Sequence, residues 1–169
     1  MTVHFRHLLL VAVLLGFAGL LHAAEEVKRV AVLDAVIIHG SERMPISPEE
    51  QQRLNDYTSA LRAALDASDR YVLVDHGELD ALIEQHVAGQ RLENCRRCQA
   101  RIGRELGADQ VFMPRVFKVS ELILSMELEI MDTESGEGLA RDTVRIAGNT
   151  DESWRRGALS LSRSRGLVE

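Results

Sequence analysis

The sequence predicts a single α/β domain with a mixed sheet of about five strands, in the order β-α-β-α-α-β-β-β-α. An apolar, β-branched run without alternation over Val30–Ile38 is typical of a strand buried on both faces of a sheet. Capping signals that precede apolar stripes predict helices between the first strands. The second half alternates apolar and polar residues with period two, which predicts antiparallel strands in a C-terminal meander.

The composition limits the classes to which this chain can belong. Of its 169 residues, 46% are hydrophobic and 27% are charged, which suits one globular domain and is too apolar for a disordered tail. A formal net charge of −6 excludes the basic footprint of a nucleic-acid-binding domain. Two cysteines are too few for a disulfide-dense scaffold or a four-cysteine zinc site.

Residues 1–24 are predicted to be a secretory signal peptide. A basic start precedes an apolar run over Leu8–Leu21, and alanines follow it. The alternative is a membrane anchor, but the run is shorter than the roughly 20 residues that span a bilayer, and no cysteine follows it to carry a lipid. We therefore expect a periplasmic or secreted domain over residues 25–161, a frayed tail over 162–169 and no stable membrane span after cleavage.

Helix signals surround the second predicted strand, which covers Tyr71–Val74. Ser47, Pro48 and Glu50 form a capping-box signal, so the first helix is predicted to begin there. Asp75 is expected to cap the second helix. The apolar stripe of the first helix consists of Leu54, Tyr57, Leu61 and Leu65.

Further local signals mark the second and third helices and two polar residues in apolar surroundings. The second helix is expected to end at Gly89, and the third to be capped by Asn94 and terminated by Gly107. His86 lies on an apolar stripe, which favours a partly buried, hydrogen-bonded histidine over a ligand. Asp34 interrupts the first strand and is expected to be a buried or capping carboxylate, the alternative being a cleft residue at the carboxyl end of the strand.

The meander contains two irregularities, Asp142 and Pro114. A hairpin centred near Ser135 would place Glu129 opposite Arg141 on the solvent side, and Asp142 on the buried side for no reason visible in the sequence. Pro114 lacks a ladder donor, so its strand is expected to carry a bulge or to lie partly on an edge. The three predicted strands cover Asp109–Val119, Leu122–Met131 and Leu139–Ala147.

The order of these motifs resembles a known periplasmic family. The segments VAVLD and YVLVD and the run over residues 107–137, which begins with Gly107-Ala108-Asp109 and ends in the turn at 132–137, resemble a known family. It is the family that includes the N-terminal domain of the Tol-system translocation protein TolB, the curli secretion-channel lipoprotein and the lipoprotein activators of penicillin-binding proteins. NCRRCQARIGRELGAD at 94–109 and GNTDESWRRG at 148–157 more specifically resemble an uncharacterised family of small secreted bacterial proteins. The resemblance implies a non-catalytic envelope domain that works by contact.

Cys95 and Cys98 are the sharpest chemical feature. Three residues apart at the start of a predicted helix, they can form a disulfide, and the helix dipole with Arg96 and Arg97 would lower the pKa of a free thiol. The pair follows a polar loop where a thioredoxin-type site follows a strand, and Gln99 stands where a c-type haem motif needs histidine. A structural disulfide is the preferred interpretation, and a redox-active or metal-handling pair is the alternative.

The segment from Asn149 to Arg156 is the second candidate site. It combines acidic residues, two arginines and the only tryptophan at the predicted start of the last helix, and tryptophan and arginine commonly anchor protein contacts. Trp154 either anchors a partner or closes the core beneath this helix. The interaction candidates are Asn149, Thr150, Asp151, Glu152, Trp154, Arg155 and Arg156.

The sequence favours a periplasmic adaptor that binds an unidentified envelope protein through an exposed sheet edge or through the segment Asn149–Arg156. One alternative is a thiol-redox or metal-handling accessory protein that uses Cys95 and Cys98. A weaker one is an accessory factor of a periplasmic oxidoreductase or transporter. No Ser-His arrangement, carboxylate pair or glycine-rich phosphate loop in the sequence supports catalysis. We expect no cofactor, no metal and no nucleic-acid partner, and the oligomeric state stays open.

Overall fold

The computed structural model describes residues 26–40, 45–87 and 89–167, so the predicted signal peptide lies outside the described residues. The strands are β1 (Lys28–Val32), β2 (Val36–His39), β3 (Tyr71–Leu73), β4 (Gln110–Ser120), β5 (Ile123–Asp132) and β6 (Gly138–Ala147). The helices are α1 (Pro48–Asp66), α2 (Leu79–Val87), α3 (Arg96–Glu105) and α4 (Asp151–Ser164), with a 3₁₀ turn over Leu92–Asn94.

The described strands form one mixed sheet in the order β3-β1-β4-β5-β6, and β2 also pairs with β4. The pairings of β1 with β3, of β1 with β4 and of β2 with β4 are parallel. β4, β5 and β6 form an antiparallel meander. The predicted single α/β domain with a mixed sheet and a C-terminal meander is therefore confirmed.

The run Val30–Ile38 forms two strands where the sequence predicts one, so the sheet of the described residues has six strands rather than about five. Val32 pairs with Phe112, and Val36 pairs with Arg115. Val36 lies four residues after Val32, but its partner Arg115 lies only three residues after Phe112. One extra residue is therefore present between β1 and β2. A bulge of this kind interrupts the ladder and turns a side chain out of the sheet.

Side chains of α1 stabilise this break. The N–H of Ala35 donates to Thr58 Oγ1 at 2.9 Å, and Arg62 Nη2 donates to Asp34 Oδ1 at 3.0 Å. Asp34 is therefore exposed instead of buried, directly after the carboxyl end of β1. Pro114 lies on β4 opposite the break, where a missing N–H costs no ladder hydrogen bond. The strand of Pro114 does carry the expected bulge, but between Lys118 and Ser120, and a second irregularity lies opposite Pro114 in the β1–β2 run.

Helices cover both faces of the sheet. α1 and α4 enclose the first core, which contains Val32, Leu54, Leu61, Phe112, Val116, Met126, Leu128 and Trp154. α2 and α3 enclose the second core, which contains Ala31, Leu33, Leu79, Leu82, Ile102, Val111, Met113 and Met131. Along β4 the second core reaches only as far as Met113, and Arg115 is the next residue on the same face.

The helix starts follow local side-chain chemistry, with two differences from expectation. The capping box is confirmed, since Glu50 N–H donates to Ser47 Oγ at 3.2 Å and Ser47 N–H donates to Glu50 Oε2 at 3.0 Å. The cap expected at Asp75 is wrong, because its carboxylate binds a turn N–H and α2 begins only after that turn. Cys95 caps α3 in place of Asn94, which belongs to the preceding 3₁₀ turn.

The predicted register of the second hairpin is confirmed, but its exposure is not. Glu129 pairs with Arg141 across β5 and β6. Glu129 is only 2% exposed, so the expectation that it faces solvent is wrong. The reason is that Arg115 extends from β4 on the same face and pairs with it.

Asp142 binds the C-terminal end of α4 and the residue that follows it, on the other face of β6. Arg165 Nε and Ser164 Oγ both donate to its carboxylate. Leu167 is 6% exposed and belongs to the first core. These contacts explain the inward position of Asp142. Of the tail that was expected to fray over 162–169, the described part is helical to Ser164 and buries Leu167, and residues 168–169 lie outside the described residues.

Candidate functional site

The first candidate site is the free side of β6. This ten-residue strand is last in the sheet order and pairs with β5 on one side only, among the described residues. The strand at the opposite edge, β3, has three residues. An edge strand presents unpaired N–H and C=O groups that can pair with another chain. β6 is therefore the longest such template in the described part of the protein.

The side chains on the α3 side of β6 are all exposed and include two arginines. These residues are Arg141, Thr143, Arg145 and Ala147. We call the unpaired backbone side of β6, together with these four side chains, the β6 edge. Arg141 Nη2 donates to Glu129 Oε1 at 2.8 Å, whereas Arg145 forms no ion pair within the described ranges. The edge therefore carries one uncompensated positive charge in a protein that is acidic overall.

A buried cluster of charged side chains supports this edge. Arg115 Nη1 donates to Glu127 Oε1 at 3.1 Å and also to Glu129, and Arg96 Nη2 lies 3.4 Å from Glu129 Oε1. Burial alone would raise the pKa of Glu129. The hydrogen bonds from Arg141 and Arg115 outweigh that effect, so the pKa of this carboxyl is lowered. The cluster fixes the position of β6 relative to the first turn of α3.

The same face of the sheet becomes apolar and open toward the β4–β5 turn. Val119 is 66% exposed and Ile123 is 53% exposed on adjoining strands. Leu122 in the turn between them is 76% exposed. Large exposed apolar side chains that lie together are typical of contact surfaces. A partner that bound the β6 edge could extend over this patch.

The predicted interaction segment begins at a corner where α1 and α4 meet. Asn149 Nδ2 donates to Glu50 Oε1 at 2.8 Å, and Asn149 Oδ1 accepts from Trp154 Nε1 at 2.8 Å and from Arg53 Nη1 at 3.3 Å. Arg53 Nε also donates to Asp151 Oδ1 at 2.6 Å. We call these five residues the Asn149 corner. Their polar groups bind one another, so the corner joins two helices.

Trp154 lies in the first core and is 3% exposed. Of the two interpretations that the sequence left open, the structure supports core closure and does not present this ring to a partner. A shallow groove of about 290 Å³ between α1 and α4 reaches its edge, with Tyr57 and Ala158 also in the lining.

The remaining residues of the predicted segment form the first turn of α4. Thr150 and Ser153 make a capping box. Glu152 forms ion pairs with Arg155 at 2.7 Å and with Arg156 at 3.7 Å. The exposed members of the segment are Thr150, Asp151, Glu152, Arg155 and Arg156. A role for these residues in binding stays a prediction.

Cys95 and Cys98 are joined as a disulfide at the start of α3. Cys95 is the N-cap residue, and its Sγ accepts from the Cys98 N–H at 3.3 Å. Cys95 is half-buried, while Cys98 is 9% exposed and packs in the second core. An open cavity of about 340 Å³ next to the pair is also lined by His86, Arg97 and Arg101. His86 is partly buried, as expected, with Nε2 2.9 Å from Glu105 Oε2.

Two properties of the described residues bear on other classes of function. Within 26–40, 45–87 and 89–167, no group of three or more His, Cys, Asp or Glu side chains could hold a metal ion. In the same ranges, no helix has the length and apolar character that crossing a membrane requires.

The buried cluster of Arg115, Glu127 and Glu129 was not anticipated from the sequence. Glu127 and Glu129 occupy alternate positions in a strand, which is also the pattern of a solvent-facing row. The available signal is Arg115, a charged residue within an otherwise apolar stretch of β4. A charge in such a stretch requires an opposite charge nearby when it is buried.

The fold and its surfaces define a class of protein. The described residues form a small α/β domain with helices on both sheet faces, one long free strand edge and a disulfide at the start of α3. The family comparison is specific within that class. Residues 28–165 match the model of the protein family DUF3280, which is described as "Protein of unknown function (DUF2380)". The chain belongs to this family. Membership of an uncharacterised family, expected from the sequence, is confirmed. A comparison with curated proteins found no significant match.

Solved structures show the same fold. The chain is similar to the LpoB C-terminal domain from Salmonella enterica, with 18% identity and a TM-score of 0.52, covering 82% of this chain and 93% of that one. It is also similar to the lipoprotein GNA1162 from Neisseria meningitidis, with 12% identity and a TM-score of 0.53, covering 84% and 98%. The LpoB C-terminal domain from Escherichia coli matches at 17% identity and a TM-score of 0.52, covering 82% and 93%.

Proposed function

We propose that this chain is an exported, non-catalytic domain of the bacterial envelope that acts by protein contact. The docking surface in this proposal is the β6 edge, and the partner adds an extended segment to the sheet. The observation that carries the proposal is the ten-residue strand with one unpaired side. The predicted signal peptide and the fold shared with a lipoprotein support the location.

Strand addition obtains its affinity from main-chain hydrogen bonds and its specificity from alternate side chains. β6 offers both. Its unpaired side supplies the backbone groups, and its exposed row carries Arg141 and Arg145 on either side of Thr143. In an antiparallel pairing of two copies about Thr143, each Arg141 would lie opposite the other copy's Arg145. Like charges directly opposite are destabilising, so the row disfavours self-pairing in that register.

The same row favours a partner segment with acidic side chains at alternate positions. Arg145 has no ion pair among the described residues, so its charge is available to such a partner. Each favourable cross-strand charge pair contributes roughly 0.2–1 kcal/mol. The partner in this proposal is therefore an extended, acidic segment of an envelope protein.

The alternative docking surface is the exposed part of α4, represented by Arg155 and Arg156. Both arginines contact Glu152, which compensates part of their charge. The α4 residues present side chains only, because the backbone groups in the helix interior bind one another. The free backbone groups of β6 therefore favour the edge.

The proposal is tested by matched charge reversals and a captured partner. Envelope proteins that bind the purified chain are identified, and binding is measured again for Arg145→Glu and for Arg155→Glu. We expect Arg145→Glu to lower the affinity at least about tenfold, since it replaces attraction by repulsion, and Arg155→Glu to have little effect. Hydrogen exchange should slow at β6 amides in the complex.

The opposite pattern, with loss only in Arg155→Glu, would place the contact on α4 and contradict docking at the β6 edge. Binding that neither variant weakens, with no protection of β6 amides, would contradict both surfaces.

A further inference from the structure

The disulfide at the start of α3 has a chemical asymmetry that a purely structural bridge does not require. Both cysteines line the open cavity and pack against the second core, but Cys95 is half-buried whereas Cys98 is only 9% exposed. A thiol or disulfide that enters the cavity therefore has readier access to Cys95, the more exposed of the two residues. This order of access is the one that thiol–disulfide exchange requires, with one sulfur attacked and the other leaving.

The backbone around Cys95 favours its thiolate form. The Cys98 N–H points to Cys95 Sγ at 3.3 Å, and the sulfur lies at the positive end of the ten-residue helix α3. A thiolate at such a position is stabilised relative to the thiol, which makes it a competent nucleophile and leaving group.

The cavity walls add a preference for negative charge. Arg97 and Arg101 lie four residues apart on α3, both are exposed, and neither forms an ion pair in the described part of the chain. His86 lies at the same cavity, and the acidic group that faces it is Glu105. A ligand that carried carboxylates beside its sulfur would complement these two guanidinium groups.

From these observations we infer that Cys95 and Cys98 form a thiol–disulfide exchange site for thiols that carry carboxylates. Cys95 is the sulfur that forms the mixed disulfide. Cys98 is the sulfur that leaves when it forms and that attacks it in the reverse, oxidative direction. The inference does not depend on the proposed contact at the β6 edge.

Reaction with glutathione illustrates the balance of the exchange. A glutathione thiolate attacks Cys95 Sγ, the bond to Cys98 breaks, and Cys98 leaves with the electron pair and takes a proton from water. A second glutathione thiolate attacks the glutathione sulfur of the mixed disulfide, and Cys95 leaves as a thiolate. Two glutathione thiols are oxidised to their disulfide, and the protein disulfide is reduced to two cysteines.

The order of the two sulfurs is tested with single variants that each leave one cysteine. Cys98→Ser and Cys95→Ser are incubated with oxidised glutathione, and the mixed disulfide is followed by mass spectrometry. We expect Cys95 to react at least about tenfold faster than Cys98, because it is accessible and its thiolate is stabilised. Equal rates, or a faster Cys98, would overturn the assignment. Circular dichroism establishes that both variants are folded.

The charge preference is tested in the Cys98→Ser background. Arg97→Glu with Arg101→Glu should slow the reaction with oxidised glutathione about tenfold and leave the reaction with uncharged hydroxyethyl disulfide unchanged. Arg155→Glu with Arg156→Glu makes the same change of charge away from the cavity and should have no effect. Equal slowing by both pairs, or with both reagents, would contradict a site at this cavity.

The wild-type protein gives a test that needs no substitution. At equilibrium with excess reduced glutathione, we expect a measurable fraction of the disulfide to be reduced. A bridge that stays fully oxidised under these conditions is inert and overturns the inference.

Discussion

The Asn149 corner and the β6 edge are both rich in polar and arginine side chains, but their groups have different partners. At the corner, Asn149 and Arg53 bind side chains from α1 and α4, so their hydrogen-bonding capacity is used within the chain. At the edge, Arg145 and one side of the β6 backbone have no such partner among the described residues. The first region connects elements, and the second can connect molecules.

This difference teaches that residue types alone do not identify a contact surface. Tryptophan and arginine are common at interfaces, and both occur in the segment that begins at Asn149. Trp154 is nevertheless buried, and its N–H is satisfied by Asn149. The two regions are distinguished better by whether their polar groups have hydrogen-bond partners within the chain than by their composition.

The largest expected effect is the loss of the corner's aromatic side chain. Trp154→Ala should lower the free energy of unfolding by about 4 kcal/mol, because it leaves a cavity in the first core and removes the hydrogen bond to Asn149. Urea unfolding followed by circular dichroism measures the change. Arg155→Ala is the matched control from the exposed side of α4 and should stay near wild type. A small effect of Trp154→Ala would contradict a structural role for the corner.

Local signals in the sequence predict the parts of the fold that depend on neighbouring residues. The capping box at Ser47 and the register that pairs Glu129 with Arg141 depend on short segments, and both are confirmed. The break after Val32 is different, because the Ala35 N–H there binds Thr58 of α1, and Pro114 lies opposite on β4. A bulge that depends on two distant residues leaves no local pattern.

The candidate site was predicted in part for the same reason. The exposed sheet edge follows from the meander, since no strand after β6 joins the sheet in the part of the chain that the structure describes. The burial of Glu129 does not follow, since alternation assigns faces but does not say that Arg115 and Arg96 cover one of them. The role of Trp154 required knowledge of where α1 packs, which no segment of the sequence contains.

A smaller effect is expected from the charge cluster beneath the β6 edge. Glu129→Gln should destabilise the protein by about 3 kcal/mol at neutral pH, because Arg115 would keep its buried charge and lose one of its two carboxylate partners. The folded-state pKa of Glu129 is lowered from its ordinary value of 4.5. Its contribution is therefore present above pH 4.5 and is lost as the pH falls through the folded-state pKa.

Unfolding curves between neutral pH and about pH 3 test this linkage. The wild-type protein should lose more stability on acidification than Glu129→Gln does, since the variant has no carboxyl to protonate at this position. Glu152→Gln is the control. The pKa of Glu152 is also lowered, by a hydrogen bond from Arg155, but this carboxyl is exposed whereas Glu129 is buried. Parallel curves for the wild type and Glu129→Gln would show that the cluster does not couple pH to the stability of the edge.

The smallest effect on stability is expected at Arg145, and this substitution best separates the β6 edge from the Asn149 corner. Arg145→Ala should change the free energy of unfolding by less than about 0.5 kcal/mol, because an exposed residue without an internal partner contributes little to folding. Asn149→Ala removes the side chain that joins the corner and should cost clearly more in the same urea titration. If Arg145→Ala destabilised the fold as much as Asn149→Ala, the edge would be a second structural joint. A neutral Arg145→Ala that still weakens partner binding would separate the surface that binds from the corner that holds the fold.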